Sequence, residues 1–166
     1  MTLEPEIESR VRAAVKQFWT TRETQAQKQG ASGGKDAGFR SAVTGGAQMN
    51  GFINLVRDLL CGNGLPEAHV YCDKFVELPG WYRPEKKWDL LVVADGKLLA
   101  GIEFKSQVGS FGNNYNNRTE EAIGSATDVW SAYREGAFKP SARPWLGYLM
   151  LLEEAAQPSS SPRASF

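Results

Sequence analysis

The stretch that decides the fold is residues 86–105, KKWDLLVVADGKLLAGIEFK. Two apolar runs lie on either side of the pair Asp95-Gly96, and this pair favours the two-residue turn of a β-hairpin. We therefore predict a buried strand at residues 88–94 and its antiparallel partner at residues 97–105. The remaining elements are predicted around this hairpin.

Apolar residues at helical spacing predict helices on both sides of the hairpin, and two further apolar runs predict strands. The first helix begins with acidic residues and continues with basic ones, which complements its dipole. The predicted elements outside the hairpin are helices at 3–28, 47–61 and 117–136 and strands at 68–78 and 145–152. The fold class is thus α/β, a mixed β-sheet flanked by helices in the core order α-β-β-β-α-β, with an extra N-terminal helix.

Composition narrows the function classes. With 166 residues, 42% of them apolar, the chain is expected to form one globular domain and not to be disordered. Its 19 basic and 19 acidic side chains cancel, so a nucleic-acid site would have to be a local patch. A single histidine excludes histidine-rich nuclease and metal sites, and two cysteines exclude a disulfide framework or a cysteine zinc site.

The two ends of the chain carry their own signals. The N-terminus is acidic and polar, unlike a secretory signal, and no apolar run in the chain is long enough for a membrane span. We therefore expect a soluble, cytoplasmic protein with no membrane partner. The tail at 155–166, AAQPSSSPRASF, has nothing to bury and is expected to be disordered.

Three charged side chains form the candidate site. Side chains two apart in a strand share a face, so Glu103 and Lys105 project together while Phe104 enters the core. Asp89 begins the paired strand, and pairing across the hairpin brings it beside the Glu103–Lys105 end. Two carboxylates with one open face suit Mg²⁺, which takes oxygen ligands, retains waters and binds substrate phosphates. Such an ion activates water and stabilises charge at phosphorus, while Lys105 orients or deprotonates that water or offsets the developing charge.

An acid-x-lysine triplet is a weak signal on its own, and the chain contains two others. Glu85-Lys86-Lys87 lies in a charged turn next to a proline, and Asp95-Gly96-Lys97 is the hairpin turn itself. Only Glu103-Phe104-Lys105 ends a long apolar strand beside a second strand with an aspartate. An ordinary ion pair at a strand end is the alternative interpretation of this triplet.

Amide side chains follow the candidate catalytic strand. In the predicted loop 106–118 they offer the paired donors and acceptors that read adenine in the major groove, and an arginine there can contact guanine or phosphate. The alternative is a turn cluster in which Asn and Gly accommodate left-handed backbone. The basic turn before Asp89 can hold a phosphate backbone. The predicted DNA-binding residues are Gln107, Asn113, Asn114, Asn116, Asn117, Arg118, Lys86 and Lys87.

Asp89, Glu103 and Lys105 resemble the signature of the PD-(D/E)XK nuclease superfamily, and the predicted order of elements is that of its restriction-endonuclease-like core. A narrower resemblance, to the XhoI-type restriction endonuclease family, covers nearly all of the chain up to Glu154. It is carried by GGAQMNGFINLVRDLL at 45–60, by the segment 86–130 and by WLGYLMLLEE at 145–154.

This resemblance implies a type II restriction endonuclease. Asp89 and Glu103 would be metal ligands and Lys105 the catalytic lysine of a Mg²⁺-dependent hydrolase. The implied reaction is cleavage of both strands of DNA at the palindrome CTCGAG by a homodimer in a bacterial cytoplasm. Residues 1–154 would form the nuclease-like domain, with the N-terminal helix and a Gly-rich loop at 1–46 and the catalytic core at 47–154.

The chain departs from the family pattern at three points. Trp88 stands where the signature has proline. The helix at 47–61 offers only Asp58 as an acid, on the face away from the sheet, and Asn50 at the border of the apolar stripe is the possible helix contribution. Family members continue past the tail, so the chain is expected to be truncated and to lack dimer and recognition contacts. The alternative function is a catalytically weak or silent DNA-binding remnant of such an enzyme.

Overall fold

The computed structural model describes residues 4–31, 46–109 and 111–154. Most of the predicted Gly-rich loop, at 32–45, and the predicted tail, at 155–166, lie outside the described residues, as does Ser110. Within the described ranges, none of the helices is long and apolar enough to cross a membrane.

Two helices come from the first part of the chain. Helix α1 (Pro5–Ala31) has proline at its first position and acidic residues in its first turn, and both favour a helix start. Helix α2 (Asn50–Gly62) follows a 3₁₀ turn at Ala47–Met49. A Cβ at Gly51 would lie 3.2 Å from the Cα of Ala14 in α1. Glycine therefore lets the two helices approach closely.

Four strands form the main sheet, in the order β1-β4-β5-β6, in which β1 is the short strand Val70–Tyr71. Strands β4 (Leu90–Ala94) and β5 (Lys97–Gln107) are the two arms of the predicted antiparallel hairpin. Its turn residues Asp95 and Gly96 have φ of 51° and 69°, as the predicted type of turn requires. Strand β6 (Trp145–Leu152) runs parallel to β5, so the sheet is mixed, which confirms the predicted fold class.

The core has two parts, one on each face of this sheet. Leu90 and Leu91 are neighbours in β4, both are fully buried, and they belong to different clusters because successive side chains point to opposite faces. Helices α1 and α2 cover one face. The other face is covered by helix α3 (Phe111–Arg134), which connects β5 to β6, and by a small second sheet. The predicted α/β arrangement of sheet and flanking helices is therefore confirmed.

The predicted strand at 68–78 is wrong. The structure has two short strands there, β1 (Val70–Tyr71) in the main sheet and β2 (Glu77–Pro79) in the second sheet. Phe75, between them, has a φ of 58°, which no extended strand can accommodate. The predicted charged turn before Asp89 is also partly wrong, because Glu85–Lys87 form strand β3, the antiparallel partner of β2.

The predicted helix start at Asn117 is wrong as well. Strand β5 continues to Gln107, since β6 pairs with it as far as Gln107 opposite Leu152. Helix α3 begins at Phe111, so only three residues connect the two elements where the sequence predicted a long loop. The low helix propensity of Asn and Gly is a weak preference, and the helix includes these residues in spite of it.

The β2–β3 hairpin is fixed to α3 by one buried carboxylate. Asp128, 1% exposed, accepts hydrogen bonds of 2.8 Å from the backbone N–H groups of both Trp81 and Tyr82 in the hairpin turn. The Nε of Arg83 lies 2.8 Å from its other oxygen. A Cβ at Gly80 would lie 2.5 Å from that oxygen, so only glycine fits at this approach. The turn is therefore held in place by the helix.

Candidate active site

Asp89 lies immediately before β4, and its carboxylate is tied to the neighbouring strand. The backbone N–H of Phe104 donates a hydrogen bond of 2.7 Å to its Oδ2. The preceding Trp88 is 3% exposed, and its backbone N–H donates a hydrogen bond to the carbonyl of Val76. A buried tryptophan thus fixes the chain before Asp89, at the position where the nuclease signature has proline.

Glu103 is buried in the middle of β5 and is held by two lysines. Its side chain is 6% exposed. One carboxylate oxygen lies 2.5 Å from the Nζ of Lys105, and the other lies 2.9 Å from the Nζ of Lys86. Phe104 between them is buried in the core, as the alternation of the strand predicts. The two carboxylates and the lysine that the sequence placed together are therefore brought together.

The surroundings of Asp89 shift the pKa of its carboxyl upward. Burial raises the pKa of the Asp89 carboxyl above its usual value, and the negative charge of Glu103 raises it further. The hydrogen bond from Phe104 and the positive charges of Lys105 and Lys86 lower it. A carboxylate in such a place gains from a cation close by, because the cation offsets the cost of burying the charge.

A cavity of about 250 Å³ opens beside Asp89, and we call it the first cavity. Gln48, in the 3₁₀ turn before α2, is 4% exposed and contributes to its wall. Its Nε2 donates a long hydrogen bond of 3.4 Å to the Oγ of Ser106, while its Oε1 is buried with no hydrogen-bond partner in the described part of the chain. The lining residues are Gly46, Gln48, Met49, Asp89, Phe104, Lys105, Ser106 and Arg118.

Gln48, in the 3₁₀ turn before α2, thus lines the first cavity, and it was not predicted from the sequence. Asn50, the predicted contribution, is exposed and does not line the first cavity. Asp58 is ion-paired at 3.1 Å with Arg10 of α1, away from the sheet as predicted. The helical periodicity could not identify Gln48 because it lies in the 3₁₀ turn, where the spacing of side chains differs from that of an α-helix.

A second cavity, of about 310 Å³, lies on the other side of Lys105. Tyr148 of β6 is the register partner of Glu103 and lines this cavity. Burial raises the pKa of Tyr148 to about 12, so its hydroxyl stays a neutral donor, here to the carbonyl of Arg118. The lining residues are Arg83, Lys86, Glu103, Lys105, Glu120, Glu121, Gly124, Ser125 and Tyr148.

The predicted DNA-binding residues between Gln107 and Arg118 differ in exposure where their side chains are described. Gln107 is 4% exposed, and its side-chain amide donates to the carbonyl of Gly109. Asn116 and Asn117 are exposed on α3. Arg118 lines the first cavity and forms an ion pair of 2.7 Å with a glutamate one turn on. The side chains of Asn113 and Asn114 lie outside the described residues.

The two predicted DNA-binding lysines before Asp89 point in different directions. Lys87 is exposed. Lys86, whose side chain is 12% exposed, points inward to Glu103. These orientations follow from strand β3, in which adjacent side chains alternate between its two faces.

The donor set fits a hard divalent cation such as Mg²⁺. Within the described ranges, no group of three or more His, Cys, Asp and Glu side chains converges on one point. An ion here would be held by Asp89 and Glu103, with water and phosphate oxygens completing its shell, which is the coordination that Mg²⁺ prefers. The orphaned Oε1 of Gln48, a neutral oxygen, lies buried in the wall of the first cavity, which Asp89 lines as well. Among the described residues that line the two cavities there is no cysteine or histidine, which disfavours Zn²⁺.

Comparison with known proteins identifies one family. The family model for restriction endonuclease XhoI matches residues 28–165. The chain is 52% identical over 158 residues to the type II restriction enzyme AbrI of Azospirillum brasilense, a match that covers 94% of this chain and 70% of that protein. It is 55% identical over 130 residues to the type II restriction enzyme BstVI of Geobacillus stearothermophilus, covering 75% of this chain and 58% of that protein.

A third relative, the type II restriction enzyme XhoI of Xanthomonas vasicola, is 43% identical over 158 residues, which is 93% of this chain and 62% of that protein. The chain thus spans between 58% and 70% of the lengths of these relatives. No solved structure shows significant similarity to the chain. The match of the family model to most of the chain, with these identities, shows that the protein belongs to the XhoI family of restriction endonucleases.

Proposed function

We propose that this chain carries the catalytic site of a type II restriction endonuclease, which hydrolyses phosphodiester bonds of double-stranded DNA with the help of Mg²⁺. The observation that carries the proposal is the arrangement of Asp89, Glu103 and Lys105 at the same end of two paired strands, with Asp89 lining the first cavity, Glu103 the second and Lys105 both. Membership of a family of restriction endonucleases supports the same reaction. If Glu103 and Lys105 formed only a structural ion pair, nothing would require Asp89 to lie beside a cavity.

Asp89 and Glu103 would hold the ion. Asp89 is fixed by the N–H of Phe104, and this bond uses one of its two carboxylate oxygens. Glu103 lies between two ammonium groups, so its rotamer is fixed as well. When bound, Mg²⁺ supplies Lewis-acid stabilisation of the negative charge that accumulates on the phosphate oxygens during hydrolysis. The protein contributes two ligands whose positions are set before the substrate arrives.

Lys105 is the remaining catalytic group. Its side chain lines both cavities and is 28% exposed, so a water molecule or a phosphate oxygen can approach it. It would orient the attacking water or offset the charge that develops as one P–O ester bond breaks. Its bond to Glu103 holds it beside the two carboxylates.

The substrate is proposed as the palindrome CTCGAG, on the strength of the resemblance to the XhoI-type family in residues 45–60, 86–130 and 145–154. Lys87, Asn116 and Asn117 are exposed near the candidate site and remain the candidates for DNA contacts, with Arg118 in the first cavity. A palindrome that is cut in both strands calls for a homodimer, in which each subunit acts on one strand. The proposed setting is the cytoplasm of a bacterium, where the enzyme would restrict foreign DNA.

Incubation with plasmid DNA tests the proposal. We expect a plasmid with one CTCGAG to be cut with Mg²⁺, and a plasmid with one altered base pair in that site to stay intact. Ca²⁺ should support binding with little turnover, and EDTA should abolish cleavage. Cleavage in EDTA would reject Asp89 and Glu103 as metal ligands. Plasmid that is retarded on a gel but stays intact would support the alternative, a DNA-binding protein without catalysis.

A further inference from the structure

We propose that Lys86 is a positioning residue of the active site, which holds the second oxygen of Glu103, weakens binding of the divalent cation to the free protein and supports the reaction on DNA. This inference rests on the proposed function. Lys86 belongs to the acid-x-lysine triplet Glu85-Lys86-Lys87, and it was predicted as a contact to the DNA backbone and not as a partner of Glu103. Its Nζ lies 2.9 Å from Oε2 of Glu103, and both side chains are almost wholly buried.

The small second sheet sets the position of Lys86. Lys86 is directly opposite Leu78 in the β2–β3 pair, and residues opposite each other share a face, so the lysine points the same way as this buried leucine. Its Nζ also lies 5.0 Å from the centre of the buried Trp88 ring, within the range of a cation–π contact. Both contacts direct the ammonium group inward, onto Glu103.

The hairpin itself is anchored. Asp128 holds the turn through the N–H groups of Trp81 and Tyr82 and through Arg83, and this turn lies between β2 and β3. Lys86 follows three residues after Arg83, on a strand whose ladder spans all three of its residues. The ammonium group is therefore held by a rigid element and is not a surface lysine that happens to lie near a carboxylate.

The positive charge of Lys86 has two opposite effects, one on binding of the ion and one on the reaction. A positive charge beside Glu103 repels a divalent cation that approaches the same carboxylate. The same charge reduces the repulsion between Glu103 and the phosphodiester, and its hydrogen bond fixes the carboxylate in one rotamer. Removal of Lys86 should therefore strengthen binding of the ion to the free protein and slow the reaction on DNA.

The test is Lys86→Met, which keeps the length of the side chain and its contact with Trp88 but removes the charge. The matched control is Lys97→Met, since Lys97 is an exposed lysine at the start of the same strand as Glu103. Calorimetry measures Ca²⁺ affinity of each protein without DNA, and single-turnover cleavage is measured at saturating Mg²⁺. We expect Lys86→Met to bind Ca²⁺ about 5- to 20-fold more tightly and to cleave at least about tenfold more slowly. Lys97→Met should match the wild type in both.

Two more variants separate the hydrogen bond from the charge. Lys86→Gln keeps a donor for Glu103, so it should bind Ca²⁺ tightly but cleave faster than Lys86→Met. Lys86→Arg keeps the charge and should restore the Ca²⁺ affinity of the wild type. If Lys86→Met does not fold, these two variants still test the proposal, because each keeps a polar partner for the buried carboxylate of Glu103.

Weaker Ca²⁺ binding together with slower cleavage would indicate a structural role and overturn the proposal. Lys86 variants that behave like Lys97→Met, in a wild type that binds Ca²⁺ and cuts DNA, would overturn it while leaving the proposed function intact. A wild type that neither binds Ca²⁺ nor cuts DNA would overturn both.

Discussion

The backbone N–H of Phe104 donates a 2.7 Å hydrogen bond to the side chain of Asp89, across the end of the hairpin that the two residues share. The last backbone pair between the strands at this end is Leu90 with Ile102, so the carboxylate provides the acceptor that β4 no longer offers. The aspartate thus continues the hydrogen bonding between the two strands by one further bond, and it also lines the first cavity. Its position is set by the strand pairing and not by a flexible loop.

Asp89→Asn should abolish cleavage with little loss of stability. The amide keeps an oxygen that can accept the Phe104 hydrogen bond but loses the charge that a divalent cation requires. We expect the cleavage rate to fall by at least about a hundredfold and the melting temperature to change little. Asp95→Asn, at the exposed hairpin turn with a φ of 51°, is the control, since asparagine also adopts left-handed backbone. Equal loss of activity in both variants would reject Asp89 as a ligand.

Lys105→Ala should abolish cleavage while sequence-specific DNA binding in Ca²⁺ remains largely intact. The lysine acts on the transition state, so its loss lowers the rate more than the affinity. Single-turnover cleavage and fluorescence anisotropy with a labelled duplex measure the two effects. Lys97→Ala, in the competing triplet at the hairpin turn, should keep both. If Lys97→Ala were as inactive as Lys105→Ala, the choice of triplet would be wrong.

The central hairpin could be predicted from sequence because its signals are local. Asp95-Gly96 favours one turn type, and alternation along β5 follows from strand geometry. The neighbourhood of Asp89, Glu103 and Lys105 results from that turn together with a register shift between Val92 and Val93, which moves the pairing along by one residue. Phe75 gave no comparable signal, because a bulky residue rarely adopts a positive φ and no local pattern marks it as the point where the strand is interrupted.

Gln48→Leu should slow cleavage and leave the stability unchanged or higher. An acceptor that is buried without a partner costs about 1–3 kcal/mol, and an apolar side chain of similar size removes that cost. The first cavity would lose one oxygen, so we expect cleavage to slow by about tenfold or more. Urea denaturation and cleavage assays measure both effects. Asn50→Ala distinguishes the two candidates of this segment: loss of activity there, with Gln48→Leu active, would favour the residue that the sequence predicted.

Asp128→Ala should destabilise the protein by about 2 kcal/mol or more, because two backbone donors in the hairpin turn lose their acceptor and Arg83 loses its ion pair. Asp128→Asn keeps an acceptor oxygen and should cost less. Urea denaturation measures the free energy of unfolding. Asp73→Ala, at an exposed aspartate, is the control and should stay within about 0.5 kcal/mol of the wild type.

Lys86 and Gln48 show why the rest of the site could not be predicted. Lys86 reaches Glu103 only because β2 and β3 form a sheet of their own that packs on α3. Gln48 faces the cavity only because a 3₁₀ turn precedes α2. Neither placement follows from spacing along the chain, since each depends on how separate elements dock. The charged residues in the hairpin arms were predictable, and those from docked elements were not.

The attachment of the hairpin turn to Asp128 has a consequence for the dynamics of the site. Amides in exposed turns usually exchange with solvent quickly, because no buried acceptor holds them. The N–H groups of Trp81 and Tyr82 lie in such a turn, on residues that are 53% and 71% exposed, yet both are bound to a carboxylate that is 1% exposed. They should exchange only when the whole hairpin lifts from α3. The exchange rate of these two amides would therefore report how often Lys86 leaves Glu103.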